Sequence, residues 1–179
     1  MSTSVTIRPR RPADVPVLAD VLGRQQPHTG YPLRWPLPFD ARQMIVREGE
    51  LGAWTAELGG TPVGHASLTD VADDGLGQLW SRGAGRPVTE LACLSALFLE
   101  HTLQGRGIGG QLLDTAVAFA RQRGLTPVLD VVSGTGPAIA VYRHRGWVEV
   151  GRARPHWLPD SEPPVLMMVL PEAAGTRSA

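Results

Sequence analysis

The chain has 179 residues, a formal net charge of zero and 42% apolar residues, so we expect one domain with a sizeable core and no nucleic-acid-binding surface. Its single cysteine, Cys93, excludes an internal disulfide and a multi-cysteine metal site and suits the reducing cytoplasm. No apolar run has the length of a membrane span or follows the N-terminal arginines as a signal peptide would, so we expect a cytoplasmic protein.

The first third of the chain predicts a strand, a helix and a long loop. Alternation of apolar and polar residues favours a strand over 3–8. A helix is predicted from Pro12, with an apolar face of Val15, Leu18, Val21 and Leu22. Recurring prolines exclude a regular helix or central strand over 24–39, where the aromatic residues indicate an ordered loop. A short helix over 40–47 follows.

The middle of the chain predicts a β-hairpin and then a buried strand. Residues 51–58 and 62–69 are strand-like and are joined by Gly59-Gly60, a strong turn signal. Residues 73–86 are rich in Gly and Asp, so we expect a flexible connection there. Residues 90–99 are almost continuously apolar, which is typical of a buried strand.

The last part predicts two strand–helix units and a closing pair of strands. A glycine-rich turn opens a helix that ends at Gly124, a strand follows over 128–132, and Pro137 begins a helix that ends at Gly146. Strands over 147–154 and 165–170 complete an α/β fold with a mixed sheet and helices on both faces. We expect one domain over 1–171 and a flexible tail over 172–179.

The glycine-rich turn is the strongest functional signal in the chain. Residues 97–111 read LFLEHTLQGRGIGGQ, which places an apolar strand before the turn and a helix after it. Glycines let the backbone approach a ligand closely, and the N–H groups at a helix start bind phosphate oxygens. Arg106 adds a cation. The turn therefore predicts a site for a phosphate-bearing molecule.

Two other interpretations of this turn are available. A glycine cluster between a strand and a helix is sometimes only a tight turn. Gly105, Gly107 and Gly110 also satisfy the G-x-G-x-x-G fingerprint of dinucleotide-binding domains, with Asp130 twenty residues after Gly110. Against an NAD(P)-dependent oxidoreductase, residues 100–104 separate the strand from the glycines, and too few residues follow for a series of strand–helix units.

The longer pattern resembles the GNAT N-acetyltransferases. Motif A of that family is written Arg/Gln-x-x-Gly-x-Gly/Ala, and Gln104, Gly107 and Gly109 match it. The opening VTIRPRRPADVPVLADVL and the segment LDVVSGTGPAIAVYRHRGWVEVG also resemble the family, in the same order along the chain. The resemblance covers about residues 5–170.

This resemblance implies a GNAT fold that uses acetyl-CoA as cosubstrate. The pyrophosphate would lie on the turn, and the pantetheine arm would pair with the strand before it, where a backbone N–H near Phe98 or Leu99 would stabilise the thioester oxygen as charge develops. The cofactor-binding residues implied are Leu97, Phe98, Leu99, Gln104, Gly105, Arg106, Gly107, Ile108, Gly109 and Gly110, together with Thr135. Thr135 stands where many relatives have an asparagine, and it has one hydroxyl in place of an amide.

The implied chemistry is direct attack of a primary amine on the thioester, with a base to deprotonate the amine and an acid for the leaving thiolate. Tyr142 matches the family's acid on the helix after the fifth strand. Glu90 and Asp130 are the candidates for the base, because some relatives carry a glutamate or a catalytic acid at these positions. A GNAT-fold module that binds acyl-CoA without turnover is the alternative.

The acceptor is a small-molecule or peptide amine that the sequence does not name. Two segments carry the aromatic and arginine residues that would hold it: His28, Tyr31, Arg34 and Trp35 in the first, and Arg152, Arg154, His156 and Trp157 in the second. The same residues would equally serve packing or a homodimer contact. His65 and Cys93 are predicted to be structural: a hydrogen-bonded side chain and a small buried hydrophobe.

Overall fold

The computed structural model describes residues 4–133 and 137–173. Its strands are β1 (Val5–Pro9), β2 (Glu50–Leu58), β3 (Thr61–Thr69), β4 (Leu91–Leu99), β5 (Thr126–Val131), β6 (Val148–Ala153) and β7 (Val165–Val169). Its α-helices are α1 (Asp14–Thr29), α2 (Arg42–Ile45), α3 (Gly75–Ala84), α4 (Ile108–Gln122) and α5 (Ala138–His144), and short 3-10 helices occupy Val88–Glu90 and His101–Leu103. No helix in this part of the chain is both long enough and apolar enough to cross a bilayer.

The seven strands form a mixed sheet in the order β1-β2-β3-β4-β5-β7-β6, flanked by helices, as the sequence predicts. The β4–β5 pair is parallel, whereas β1–β2, β2–β3, β5–β7 and β6–β7 are antiparallel. The chain divides into two compact units, which we call unit 1 (within Met1–Asp70 and Leu94–Gln122) and unit 2 (within Val71–Cys93 and Arg123–Ala179).

In unit 1, helices cover both faces of the strands. Successive side chains of a strand point to opposite faces, and two neighbours on β2 show this directly. Trp54 meets Phe119 of α4 edge to face at 5.0 Å, while the Thr55 hydroxyl donates to Asp14 of α1 at 3.1 Å. The core on the α1 face consists of Leu18, Val21, Leu22, Ile45, Ala96 and Phe98. The predicted apolar face of α1 is confirmed for Leu18, Val21 and Leu22, which are buried.

In unit 2, β7 is the central strand and is buried over its whole length. Helix α3 packs on β6 and β7, and the indole N–H of Trp80 donates to the Leu129 carbonyl at 3.1 Å. Cys93 is buried without a disulfide, as predicted. Of the two strands beside β7, β5 is buried over residues 126–129, whereas the residues of β6 are exposed or half-buried.

The first correction concerns α1, which continues to Thr29 although the sequence predicts a loop from residue 24. Pro27 lies inside the last turn. Buried Gln25 compensates: its amide donates to the carbonyls of Leu22 and Tyr31, and the Thr29 hydroxyl donates to its side-chain oxygen at 2.6 Å. These side-chain bonds stabilise a turn that propensity alone disfavours.

The second correction concerns residues 73–86, where the structure has helix α3 and not a flexible connection. The Asp74 carboxylate caps the helix by accepting from the Gly77 N–H at 2.8 Å. A Cβ on Gly77 would lie 1.9 Å from the Ala72 carbonyl oxygen, and one on Gly83 would lie 2.4 Å from Val150. These glycines therefore allow close packing. The prediction of a flexible connection was wrong because it rested on the Gly and Asp content alone.

Candidate cofactor and catalytic site

The glycine turn joins β4 to α4 through the 3-10 helix His101–Leu103, and the stretch Leu94–Gln122 that contains the turn lies within unit 1. Gly105 and Gly107 both have φ of +77°, a left-handed conformation that L side chains rarely adopt. A Cβ at either position, or at Gly109, would meet no atom within 4 Å. Gln104 and Arg106 are exposed. The glycines are thus required by backbone conformation, and the space around them is open to a ligand.

The start of α4 adds hydrogen-bond donors to this turn. The Gln111 N–H donates to the Gly107 carbonyl at 3.1 Å, so the N–H groups of residues 108–110 precede the first helical hydrogen bond. The side chain of Ile108 is only 3% exposed and anchors the helix start in the core. This turn fits a phosphate group because it combines an open backbone, unsatisfied N–H donors and the positive end of a helix dipole.

The link before the turn, residues 100–104, is stabilised by side-chain contacts that the sequence analysis did not predict. Glu100 accepts from the Arg24 guanidinium at 2.9 and 3.0 Å and contacts the His101 ring nitrogen Nδ1 at 3.0 Å. The His101 ring stacks on His28 of α1, with centroids 3.7 Å apart. His28 therefore stabilises the link, and it belongs to a helix and not to the predicted acceptor loop.

Strand β4 carries a backbone irregularity just before the predicted cofactor-pairing residues. Ala96 has φ of +49°, and no other non-glycine residue in the described part of the chain has a positive φ. Phe98 and Leu99 are buried and Leu97 is half-buried, so this segment has mainly its backbone to offer a ligand. Alanine has no preference for this conformation, which is why the sequence did not reveal it.

Two side chains of β3 bind the carbonyls at this irregularity. His65 Nδ1 lies 2.9 Å from the Ala96 oxygen, and the Ser67 hydroxyl donates to the Ser95 oxygen at 3.1 Å. His65 Nε2 lies 3.3 Å from the guanidinium of Arg10, which also binds Glu50 at 2.8 Å. A carbonyl only accepts and a guanidinium only donates, so the contacts assign the neutral tautomer with hydrogen on Nδ1.

The electrostatics agree with a neutral imidazole at this position. Burial, with a smaller contribution from the positive charge of Arg10, lowers the pKa of His65 to about 4, against the opposing effects of the hydrogen bond to Ala96 and the charge of Asp14. The contacts confirm the prediction that His65 is a hydrogen-bonded side chain.

In unit 2, Tyr142 and Asp130 lie close enough to influence each other. Burial raises the pKa of Tyr142 to about 12, and the negative charge of Asp130 contributes to the same shift. Tyr142 lies half-buried on α5 and meets Trp147 edge to face at 5.8 Å, while the Asp130 side chain is exposed at the end of β5. Tyr142 therefore keeps its proton at neutral pH, as a general acid must.

Glu90, the other candidate for the base, forms an ion pair with Arg86. It ends the 3-10 helix Val88–Glu90 just before β4, where the sequence placed it inside the strand. Its carboxylate pairs with Arg86 at 2.6 Å, and its side chain is 45% exposed. Thr135 lies outside the described residues.

The predicted acceptor segments divide into packed and exposed side chains. Tyr31 packs against the α1 core, and Arg154 donates to the Pro159 and Glu162 carbonyls of its own loop. Trp35 and Trp157 are about two-fifths exposed, at 40% and 38%. Phe39 at the end of the first segment is 42% exposed, and His156 of the second segment is exposed as well.

The comparisons with known proteins agree with this architecture. The model of the acetyltransferase (GNAT) family matches residues 19–147. This chain belongs to the GNAT acetyltransferase family. A comparison with curated proteins gave no match. The pairs β1–β2, β2–β3, β5–β7 and β6–β7 are antiparallel, which departs from the dinucleotide-binding alternative with its run of parallel strands.

Solved structures of acetyltransferases share the fold at low sequence identity. The ribosomal-protein-S18-alanine N-acetyltransferase of Escherichia coli is 18% identical, with a TM-score of 0.66 and 98% of this chain and 100% of that chain covered. The ribosomal-protein-alanine N-acetyltransferase of Brucella melitensis is 22% identical, with a TM-score of 0.67 and 92% and 97% covered. The PaiA N-acetyltransferase of Thermoplasma acidophilum, in complex with coenzyme A, is 16% identical, with a TM-score of 0.65 and 94% and 99% covered.

Proposed function

We propose that this GNAT chain transfers the acetyl group of acetyl-CoA to a primary amine by direct attack. The observation that carries the proposal is the open glycine turn at the start of α4, where Gly105 and Gly107 hold a left-handed backbone and N–H donors precede the first helical hydrogen bond. A CoA pyrophosphate is an anion of the kind that such a helix start binds.

Acetyl-CoA supplies the activated acyl group, and the chain's own groups supply orientation and proton transfer. A backbone N–H near Phe98 or Leu99 would stabilise the charge that develops on the thioester oxygen. Tyr142, protonated at neutral pH, would give its proton to the departing thiolate. Asp130 is the first candidate for the base to test, because its charge acts on Tyr142, the proposed acid. Glu90, whose carboxylate pairs with Arg86, is the second.

The acceptor in this proposal is a primary amine of a small molecule or a peptide. The first acceptor segment exposes Trp35 and Phe39, and the second exposes Trp157. Two of the similar structures are named as N-acetyltransferases of ribosomal-protein alanine, so peptides with an N-terminal alanine are the first amines to assay. Small amines form the second set.

The phosphate site is tested with a matched pair of glycine variants in unit 1. Gly107 and Gly60 both have positive φ, +77° and +84°, and both have open space at Cβ, so alanine strains each backbone similarly. We expect Gly107→Ala to weaken acetyl-CoA binding about tenfold, which corresponds to roughly 1.4 kcal/mol, and Gly60→Ala to leave it unchanged. Isothermal titration calorimetry measures both.

Equal affinities for the two variants would show that the turn does not bind the cofactor. A wild-type protein that does not bind acetyl-CoA at all would refute the proposed activity.

A further inference from the structure

The left-handed backbone at Ala96 is held from the neighbouring strand by two side chains. His65 donates to the Ala96 carbonyl at 2.9 Å and Ser67 donates to the Ser95 carbonyl at 3.1 Å. Both donors are fully buried, at 0% exposure. A strained non-glycine residue persists only when its surroundings determine its conformation, and such residues concentrate at functional sites.

His65 is itself fixed from its other side. Arg10 contacts its Nε2 at 3.3 Å and is held by the Glu50 carboxylate and by the Ile45 carbonyl at 2.6 Å. The imidazole also lies beside Phe98 of β4, with ring centroids 5.5 Å apart. The contacts thus run from Glu50 through Arg10 and His65 to the carbonyl of Ala96, the one non-glycine residue with a positive φ among those described.

This irregularity immediately precedes the segment of β4 to which the proposed function assigns the acyl group. A left-handed residue turns the peptide groups that follow it out of the regular ladder direction. The orientation of the N–H groups of residues 97–99 therefore depends on the conformation at Ala96, and that conformation depends on the two side chains of β3.

We propose that His65 and Ser67 are positioning residues for acyl transfer, which hold the backbone at Ala96 so that β4 presents an N–H to the thioester oxygen. The inference rests on the proposed function. Neither side chain touches the acyl group; both act through the β4 backbone. The role is specific to the acetyl carbonyl, since the phosphate turn is a separate part of unit 1.

The test compares binding of acetyl-CoA with binding of CoA, because only the former has the carbonyl oxygen. His65→Phe removes the donor at similar ring size, whereas His65→Asn keeps an N–H near the position of Nδ1. We expect His65→Phe to lower the ratio of the two affinities roughly fivefold, the effect of one hydrogen bond, and to leave CoA affinity within about twofold. His65→Asn should retain most of the ratio.

Thr55→Val is the matched control. Thr55 is also fully buried in unit 1 and donates one hydrogen bond, but to Asp14 and not to β4. It should lower stability and keep the wild-type affinity ratio. Acetyl-CoA labelled with ¹³C at the carbonyl gives a second readout: its bound chemical shift should move toward the free value in His65→Phe and stay in Thr55→Val.

The outcomes separate this inference from the proposed function. If the wild type binds acetyl-CoA and His65→Phe keeps its affinity ratio and carbonyl shift, the positioning role is wrong while the proposed cofactor stands. An equal loss of the affinity ratio in Thr55→Val would also contradict the positioning role, because it would show that lower stability alone accounts for the loss. If His65→Phe does not fold, Ser67→Ala carries the same measurement. A wild type that binds neither ligand refutes both proposals.

Discussion

His65 in unit 1 and Tyr142 in unit 2 both have a pKa shifted mainly by burial, yet the structure places them in different settings. Burial disfavours the charged form of each group, so it lowers the pKa of the imidazole to about 4 and raises that of the phenol to about 12. His65 is enclosed and has partners at both ring nitrogens, whereas Tyr142 is half-buried beside a carboxylate.

The difference shows that the same physical cause acts on groups in different settings. A buried group whose polar atoms are all paired contributes a fixed conformation. A half-exposed group beside a titratable neighbour is a candidate for proton transfer, which is the role proposed above for Tyr142. The pKa shift alone does not distinguish the two cases, and the hydrogen-bond partners do.

The largest expected effect is on the pH dependence of stability through His65. Its pKa is about 4 when folded and 6.5 as the reference for the unfolded chain, so between these values the unfolded state binds the extra proton. The free energy of unfolding should be unaffected by His65 above pH 6.5 and should fall by up to about 3 kcal/mol as the pH drops through 4. Urea denaturation at a series of pH values measures this.

His65→Asn provides the control, because asparagine does not titrate. Its stability should change less than that of the wild type between pH 6.5 and pH 4. Asp14, whose carboxyl pKa is held low mainly by its hydrogen bond to Arg8, loses its contribution from about pH 5 downward and mostly below 3.8. Both proteins share this effect, so it cancels in the comparison. Parallel curves for the two proteins would contradict a neutral buried His65.

The next effect is on turnover through Tyr142. Tyr142→Phe removes the proton that the proposed mechanism gives to the thiolate, and general acid catalysis contributes about 100-fold or more. We expect kcat to fall by about that factor with an amine that the wild type accepts, measured by thiol release. Acetyl-CoA affinity, measured by calorimetry, should change little. Unchanged turnover would remove Tyr142 from the mechanism and leave it a packing residue against Trp147.

The smallest expected effect is a change in the pKa of Tyr142, which tests whether Asp130 acts on it. Asp130→Asn removes a negative charge and should lower the pKa of Tyr142 from about 12 toward its ordinary value of 10.0, without reaching it because burial is the larger cause. Ultraviolet titration of the phenolate measures this, and Tyr142→Phe separates its signal from that of Tyr31, since the chain has two tyrosines. An unshifted pKa would mean that Asp130 does not act on Tyr142.

Local signals in the sequence predicted much of the fold. The Gly59-Gly60 hairpin is observed, with φ of +57° and +84°, because its turn depends on two adjacent residues only. The glycine turn before α4 was predictable for the same reason. Helix α3 was not predicted, because one of its glycines, Gly83, allows packing against Val150, a residue distant in the sequence.

The sequence by itself predicted the glycine turn from residue types at short spacing. Its resemblance to the GNAT family, in three blocks in the same order along the chain, predicted the fold and supplied the candidates for proton transfer. Only the tertiary structure showed that the charge of Asp130 acts on Tyr142 and that His65 binds the Ala96 carbonyl, 31 positions away. Hydrogen bonds and desolvation act through space, so these relations arise only when distant strands and helices are packed together.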